Sequence, residues 1–161
     1  MPSEEAVHAW ALLLRVSQST LGQIEHELKD HGFPPLVWYD ALLELSRARG
    51  QGLRPFELKQ EMLLAQYNVS RLVDRLVRAG YVERAPVPDD GRGHVLRITA
   101  DGRTLMKRMW PVYRAAIGRH FAGRLSKRDM DAFRRALARL GGRSAVPGAG
   151  TGNRHDSARN G

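Results

Sequence analysis

Near the start of the chain Val7, Leu14, Leu21 and Leu28 recur every seven positions, with Trp10, Ser17 and Ile24 between them. A seam of period 3.5 predicts a helix over about 4–30 that lies along another helix. Gly32-Phe33-Pro34-Pro35 interrupts it, and Trp38, Ala41, Leu42 and Leu45 then follow the i, i+3, i+4, i+7 rule of a second helix. Arg49-Gly50-Gln51-Gly52 ends that helix. Pro55 suits the first turn of a short helix reaching about Met62. After a brief connection Val69, Leu72, Val73, Leu76 and Val77 form a strong apolar stripe, closed by Gly80 as a C′ glycine.

The period then changes. In APVPDDGRGHVLRIT, from Ala85 to Thr99, prolines, aspartates and glycines separate apolar residues, and Leu96 and Ile98 alternate with Arg97 and Thr99. That predicts two strands joined by a tight loop with Arg92 at its tip. Thr99 caps a further helix with Asp101 in its first turn, expected to reach about Gly123 and to kink near Trp110 because Pro111 removes a hydrogen bond. Ser126 and Asp129 form a capping box for a last helix with Met130, Phe133, Leu137 and Leu140 on one face. The remaining stretch, 143–161, is rich in Gly and Ser and almost without large apolar residues, the composition of a disordered tail.

Composition narrows the partners. The chain has 161 residues, 42% of them hydrophobic, enough for one core. Its 26 Lys and Arg against 17 Asp and Glu give a net charge of +9, which calls for an anionic partner, nucleic acid or a membrane surface. No apolar run approaches the roughly 18 residues of a membrane span, and MPSEEAVHAW lacks the order of a signal peptide, so a cytoplasmic protein without membrane contact is expected. With no cysteine there are no disulfides, thiolate metal sites or cysteine redox sensors. No two of the six histidines share an i, i+3 or i+4 spacing, so neither a metal site nor a cofactor is expected.

The chemistry-bearing residues cluster in the middle. A short helix, a tight connection and a longer amphipathic helix make a helix-turn-helix, and the two strands after it make a wing. Opposite the apolar stripe lie Asn68, Arg71, Arg75 and Arg78, with Tyr67, Ser70 and Asp74 on the same exposed side. Guanidinium forks bind guanine edges or phosphates, Asn binds adenine edges and Ser binds phosphate oxygens. An arginine-rich helical face is by itself usually only solvated; here it follows a turn and precedes a hairpin, which makes the pattern informative. From Arg47 to Arg108 there are 13 basic and 7 acidic residues, so most of the charge excess sits on this module. Arg92 on a rigid hairpin is shaped to enter a minor groove, with Asp90 orienting it. Asp89 and Asp90 are neighbours in one loop and are not held across a substrate, and no nucleophile, base and orienter share a spacing, so no enzyme is expected.

In this order, SRLVDRL, AGYVER and DDGRG…ITADG make LRPFELKQEMLLAQYNVSRLVDRLVRAGYVERAPVPDDGRGHVLRITADG resemble the winged helix-turn-helix of the MarR (multiple antibiotic resistance regulator) family. The resemblance implies a mostly α fold with a small β-hairpin wing. It makes 4–142 one domain, with the winged module at about 34–100 and dimerisation helices at about 4–30 and 100–140. It implies an obligate homodimer that binds pseudo-palindromic double-stranded DNA as a transcriptional regulator, often a repressor released by a small ligand. Carried over by position, the recognition helix begins near Gln66 and runs to Ala79. Gln66, Asn68, Ser70, Arg71 and Arg75 then face DNA, Arg92 matches the wing arginine and Asp90 its acidic neighbour. Ala65 stands where a Ser or Thr cap is usual and Leu63 where a turn Gly is common, both departures at the start of that helix.

Without cysteine, sensing falls to ligand binding. A cavity between the dimerisation helices and the winged module, lined by Trp10, Arg15, Trp38 and Tyr39, is expected to take a small aromatic or phenolic effector, with Arg15 pairing its carboxylate or phenolate. The competing use of the same fold is a winged-helix protein-interaction module without direct DNA readout.

Overall fold

The computed structural model describes residues 1–64, 68–87 and 93–141. Six α-helices and a two-stranded antiparallel sheet follow one another in these segments: α1 Glu4–Asp30, α2 Leu36–Arg47, α3 Pro55–Glu61, α4 Val69–Arg78, β1 Val82–Pro86, β2 His94–Ile98, α5 Ala100–His120 and α6 Lys127–Arg139. The predicted fold class stands, mostly helical with a hairpin after the fourth helix. The expected tail at 143–161 lies outside the described residues.

Most element ends follow from local chemistry. Ser3 Oγ accepts from the Ala6 N–H ahead of α1, and Glu4 and Glu5 sit in its positive first turn. Thr99 caps α5 by accepting from Gly102 N–H at 3.1 Å, and Ser126 and Asp129 form the predicted reciprocal box on α6. After α4, Gly80 adopts φ +81° while its N–H donates to Val77 O and that of Tyr81 to Leu76 O. This is a Schellman closure, and the left-handed residue at its centre is a glycine for steric reasons. Gly102 answers to a different demand: a Cβ there would lie 2.2 Å from Tyr81 O, so α5 packs directly on the turn that leaves α4.

Two boundaries differ from the sequence reading. α5 continues unbroken across Pro111 and ends at His120, with a single 3₁₀ turn at Ala122–Arg124 where the helix was expected to continue. Met109 and Tyr113 flank Pro111 and both are buried, so packing holds the helix on either side of the proline. α4, the expected recognition helix, begins at Val69 rather than near Gln66, because Asn68 takes the capping position.

The core centres on α2, where nine of twelve residues are buried. Leu42 and Leu45 from α2 join Leu28 of α1, Leu58 of α3, Leu76 of α4, Leu96 of β2 and Met109 of α5 as fully buried side chains. α1 also caps α2, since both carboxylate oxygens of Glu25 accept from Leu36 N–H at 3.2 and 3.1 Å. Glu27 of α1 accepts hydrogen bonds from Arg119 and His120 at the end of α5, which clasps the two long helices together. The seven-residue seam divides: Ile24 and Leu28 are buried in the core, whereas Val7, Trp10 and Leu14 are 55%, 61% and 42% exposed. Half of the apolar seam therefore lacks cover among the described residues.

Candidate nucleic-acid interface and ligand cavity

The two faces of α4 separate cleanly. Val69, Leu72, Val73 and Leu76 are buried, while Ser70, Arg71, Asp74, Arg75 and Arg78 are exposed. Before the helix, Asn68 Oδ1 accepts from the Arg71 N–H at 3.2 Å. The amide NH₂ of a capping Asn keeps its donors for another partner, so capping and base contact are compatible. Asp74, the acidic residue on the exposed face, is bound by Arg84 Nη2 of β1 at 2.5 Å. The pair neutralises Asp74 and fastens the wing to the helix. Among the described residues Arg71, Arg75 and Arg78 have no carboxylate partner, so the outward face of α4 is net positive.

The hairpin pairs from Val82↔Ile98 at its base to Pro86↔His94 near its tip. Leu53 adds a short third edge, exchanging two backbone hydrogen bonds with Leu96 at 3.0 and 2.8 Å. That anchors the wing to the segment ahead of α3. The tip itself, with Asp90 and Arg92, lies outside the described residues, as does Gln66. Of the seven predicted DNA-facing residues, the structure brings Asn68, Ser70, Arg71 and Arg75 onto one exposed surface.

Asp40, not anticipated from the sequence, positions this surface from within. It is 4% exposed on α2, and its two carboxylate oxygens accept from Leu63 N–H at 3.1 Å and Leu64 N–H at 2.8 Å. These amides belong to the turn between α3 and α4, so Asp40 holds the approach to the recognition helix. Burial pushes its carboxyl pKa upward, and the two amides and Arg47 counter that push. The available signal was an acid inside the apolar run LVWYDALLEL on a helix read as core.

Asp40 also forms part of the wall of a cavity of about 360 Å³ between α1, α2, α5, α6 and the same turn. Tyr39 and Tyr113 line it with their rings 5.2 Å apart, and Trp110 stacks on Tyr39 at 6.1 Å. Desolvation pushes both phenols up to about 12. The four predicted lining residues do not converge here. Tyr39 faces the cavity; Trp38, about 100° further round the helix axis, packs edge-on against Tyr81. Arg15 lines a neighbouring groove with His120 and Arg124, and Trp10 lies on the exposed part of α1. Within one chain the four residues therefore lie apart, with Trp10 61% exposed.

Among the described residues no group of three or more His, Asp or Glu could hold a metal ion, and no helix is long and apolar enough to cross a membrane.

A family model described as MarR family matches residues 31–93, from the end of α1 to the wing. An uncharacterized HTH-type transcriptional regulator of Bacillus subtilis, YkoM, is 30% identical over 131 residues, covering 80% of this chain and 80% of YkoM. The chain belongs to the MarR family. Among solved structures, AbsC, a MarR family transcriptional regulator from Streptomyces coelicolor, is 26% identical with a TM-score of 0.73, covering 88% of this chain and 95% of AbsC. Sco3205, a MarR family regulator of the same organism solved in complex with DNA, shares the fold at 22% identity and a TM-score of 0.75 over 88% of each chain. The MarR family model stops short of α5 and α6, so the helices that complete this fold are recognised through the whole-chain matches.

Proposed function

We propose that the protein is a homodimeric transcriptional regulator that binds a pseudo-palindromic double-stranded DNA site and acts as a repressor released by a small ligand. One observation carries the reading: Arg71, Arg75 and Arg78 stand outward on α4 while Arg84 of the wing neutralises the single acid among them. A helix with that face enters a major groove, with Ser70, Arg71 and Arg75 reaching bases and phosphates and with Gln66 and Asn68 at its leading end. Arg92 with Asp90 extends the contact into the flanking minor groove. The uncovered seam of Val7, Trp10 and Leu14, together with Leu140 at 78% exposure just after the last helix, supports a second copy as the cover. The cavity behind Asp40 supports a ligand that acts on the turn before α4.

Selection of bound duplexes from a random DNA pool tests the reading. An inverted repeat with half-sites roughly 34 Å apart is the expected product. Recovery of no duplex, with salt-insensitive capture of a protein partner through the same helix, would favour the interaction-module alternative.

A further inference from the structure

The cavity behind Asp40 is lined mostly by aliphatic and aromatic side chains, with one ionisable carboxyl group among its described lining residues. Tyr39, Tyr113, Phe121 and Phe133 turn aromatic rings toward it, and no Lys, Arg or His is among its described lining residues. Asp40 is the carboxylate in that wall. It spends two acceptor positions on Leu63 and Leu64, of about four that a carboxylate offers. The tyrosines, held as neutral phenols, offer π-faces whose quadrupole attracts positive charge. An anion would enter a desolvated space facing a carboxylate, with no base among the described lining residues. Arg15, which the sequence offered as the partner of an acidic effector, faces the neighbouring groove instead.

We propose that this cavity binds an apolar organic cation, an arylalkyl ammonium whose ring lies among the four aromatic side chains and whose ammonium engages the Asp40 carboxylate. The proposal rests on reading the cavity as the effector site and names the chemical class of the effector. It also supplies the coupling: an ammonium on the remaining acceptor positions draws the Asp40 carboxylate toward the cavity and lengthens its bonds to the Leu63 and Leu64 amides, so occupancy loosens the turn that leads into α4 and weakens the DNA complex.

Three probes with one ring system and one shape decide it: 2-naphthylmethylamine, 2-naphthylmethanol and 2-naphthoate. Binding to the full chain is measured by calorimetry at neutral pH, and retention of the selected duplex is measured separately by anisotropy. The amine should bind at least about ten-fold more tightly than the carboxylate, and Asp40→Asn should remove about ten-fold of the amine's affinity with the alcohol unchanged. Phe133→Leu, at a half-buried position of α6, should weaken the amine about three-fold more than the alcohol, which keeps the test open if Asp40→Asn fails to fold. A carboxylate that binds as tightly as the amine, or a folded Asp40→Asn that binds the amine like the parent, overturns the cationic class and leaves the effector reading standing. If no probe binds at millimolar concentration while the duplex still does, the proposal and the effector reading fall together. Amine binding that leaves the duplex fully retained overturns the coupling through Asp40.

Discussion

Removing Arg75 from both subunits should change the salt dependence of DNA binding by a predictable amount. Three arginines on each α4 have no carboxylate partner among the described residues, which makes six in a dimer, and Asp74 subtracts nothing because Arg84 holds it. If all six meet phosphates, log Kd against log salt should have a slope of about 5, from roughly 0.9 per phosphate neutralised. A fourfold rise in salt then costs about three orders of magnitude in affinity. Arg75→Ala deletes two contacts, so the slope should fall by about 2, with every sequence weakened alike. Arg71→Ala should behave differently if its guanidinium reads a base edge, losing about 1–3 kcal/mol of discrimination at one position per half-site. Anisotropy titrations at four salt concentrations, on the selected duplex and a scrambled one, separate the two behaviours. An unchanged slope for Arg75→Ala would refute the assignment of this face to phosphates, and a flat slope for the parent would remove α4 from the DNA altogether.

Asn68→Ala should lower stability by about 1 kcal/mol through loss of the Arg71 N–H acceptor, read as a lower urea midpoint with unchanged m. Leu14→Asp on the exposed seam should leave the helical content intact and shift sedimentation at micromolar concentration from dimer to monomer; an unaltered dimer would place the interface elsewhere. Arg119 foremost, with His120, holds the Glu27 carboxyl down at about 2 from an ordinary 4.5. The folded-state pKa is the lower one, so the stability this group contributes is fully present above about 4.5 and is lost as pH falls toward about 2. Glu27→Gln should therefore destabilise at neutral pH and flatten the acid limb of the stability profile, and a limb that keeps its shape would show that the clasp carries no differential proton binding.

The elements were legible where one periodicity ran undisturbed to a chemical stop. Val69, Leu72, Val73 and Leu76 with Gly80 behind them marked α4, and Thr99, Ser126 and Asp129 marked later helix starts through side chains that can satisfy only nearby amides. The start of α4 was harder, because the family pattern puts a Ser or Thr cap three residues earlier, at Ala65, and Asn68 performs the same chemistry in its place. Long-range pairings left no local trace. Asp74 and Arg84 meet only because the turn at Gly80 folds β1 back along α4, and Asp40 meets Leu63 and Leu64 across twenty-three and twenty-four residues. The separation of Arg15 from Tyr39 was hidden for the same reason: four residues of suitable type on two helices do not say which groove each one lines.

Three consecutive residues of α2 then explain how the cavity and the basic face of α4 come to share one scaffold. Trp38 packs on Tyr81, which receives the chain as it leaves α4; Asp40 holds the amides of Leu63 and Leu64, where the chain approaches α4; and Tyr39 between them joins Trp110 and Tyr113 of α5. Successive residues on a helix point about 100° apart, so one turn of α2 grips both ends of the recognition helix and the long helix behind it. The grips differ in kind. Ring contacts tolerate small sliding, whereas a buried carboxylate bonded to two amides loses its partners over a fraction of an ångström and leaves polar groups without compensation. A perturbation of the cavity therefore reaches α4 first through its leading end, the end that carries Asn68, Ser70 and Arg71, while its trailing end stays fixed to the wing through Gly80 and Tyr81.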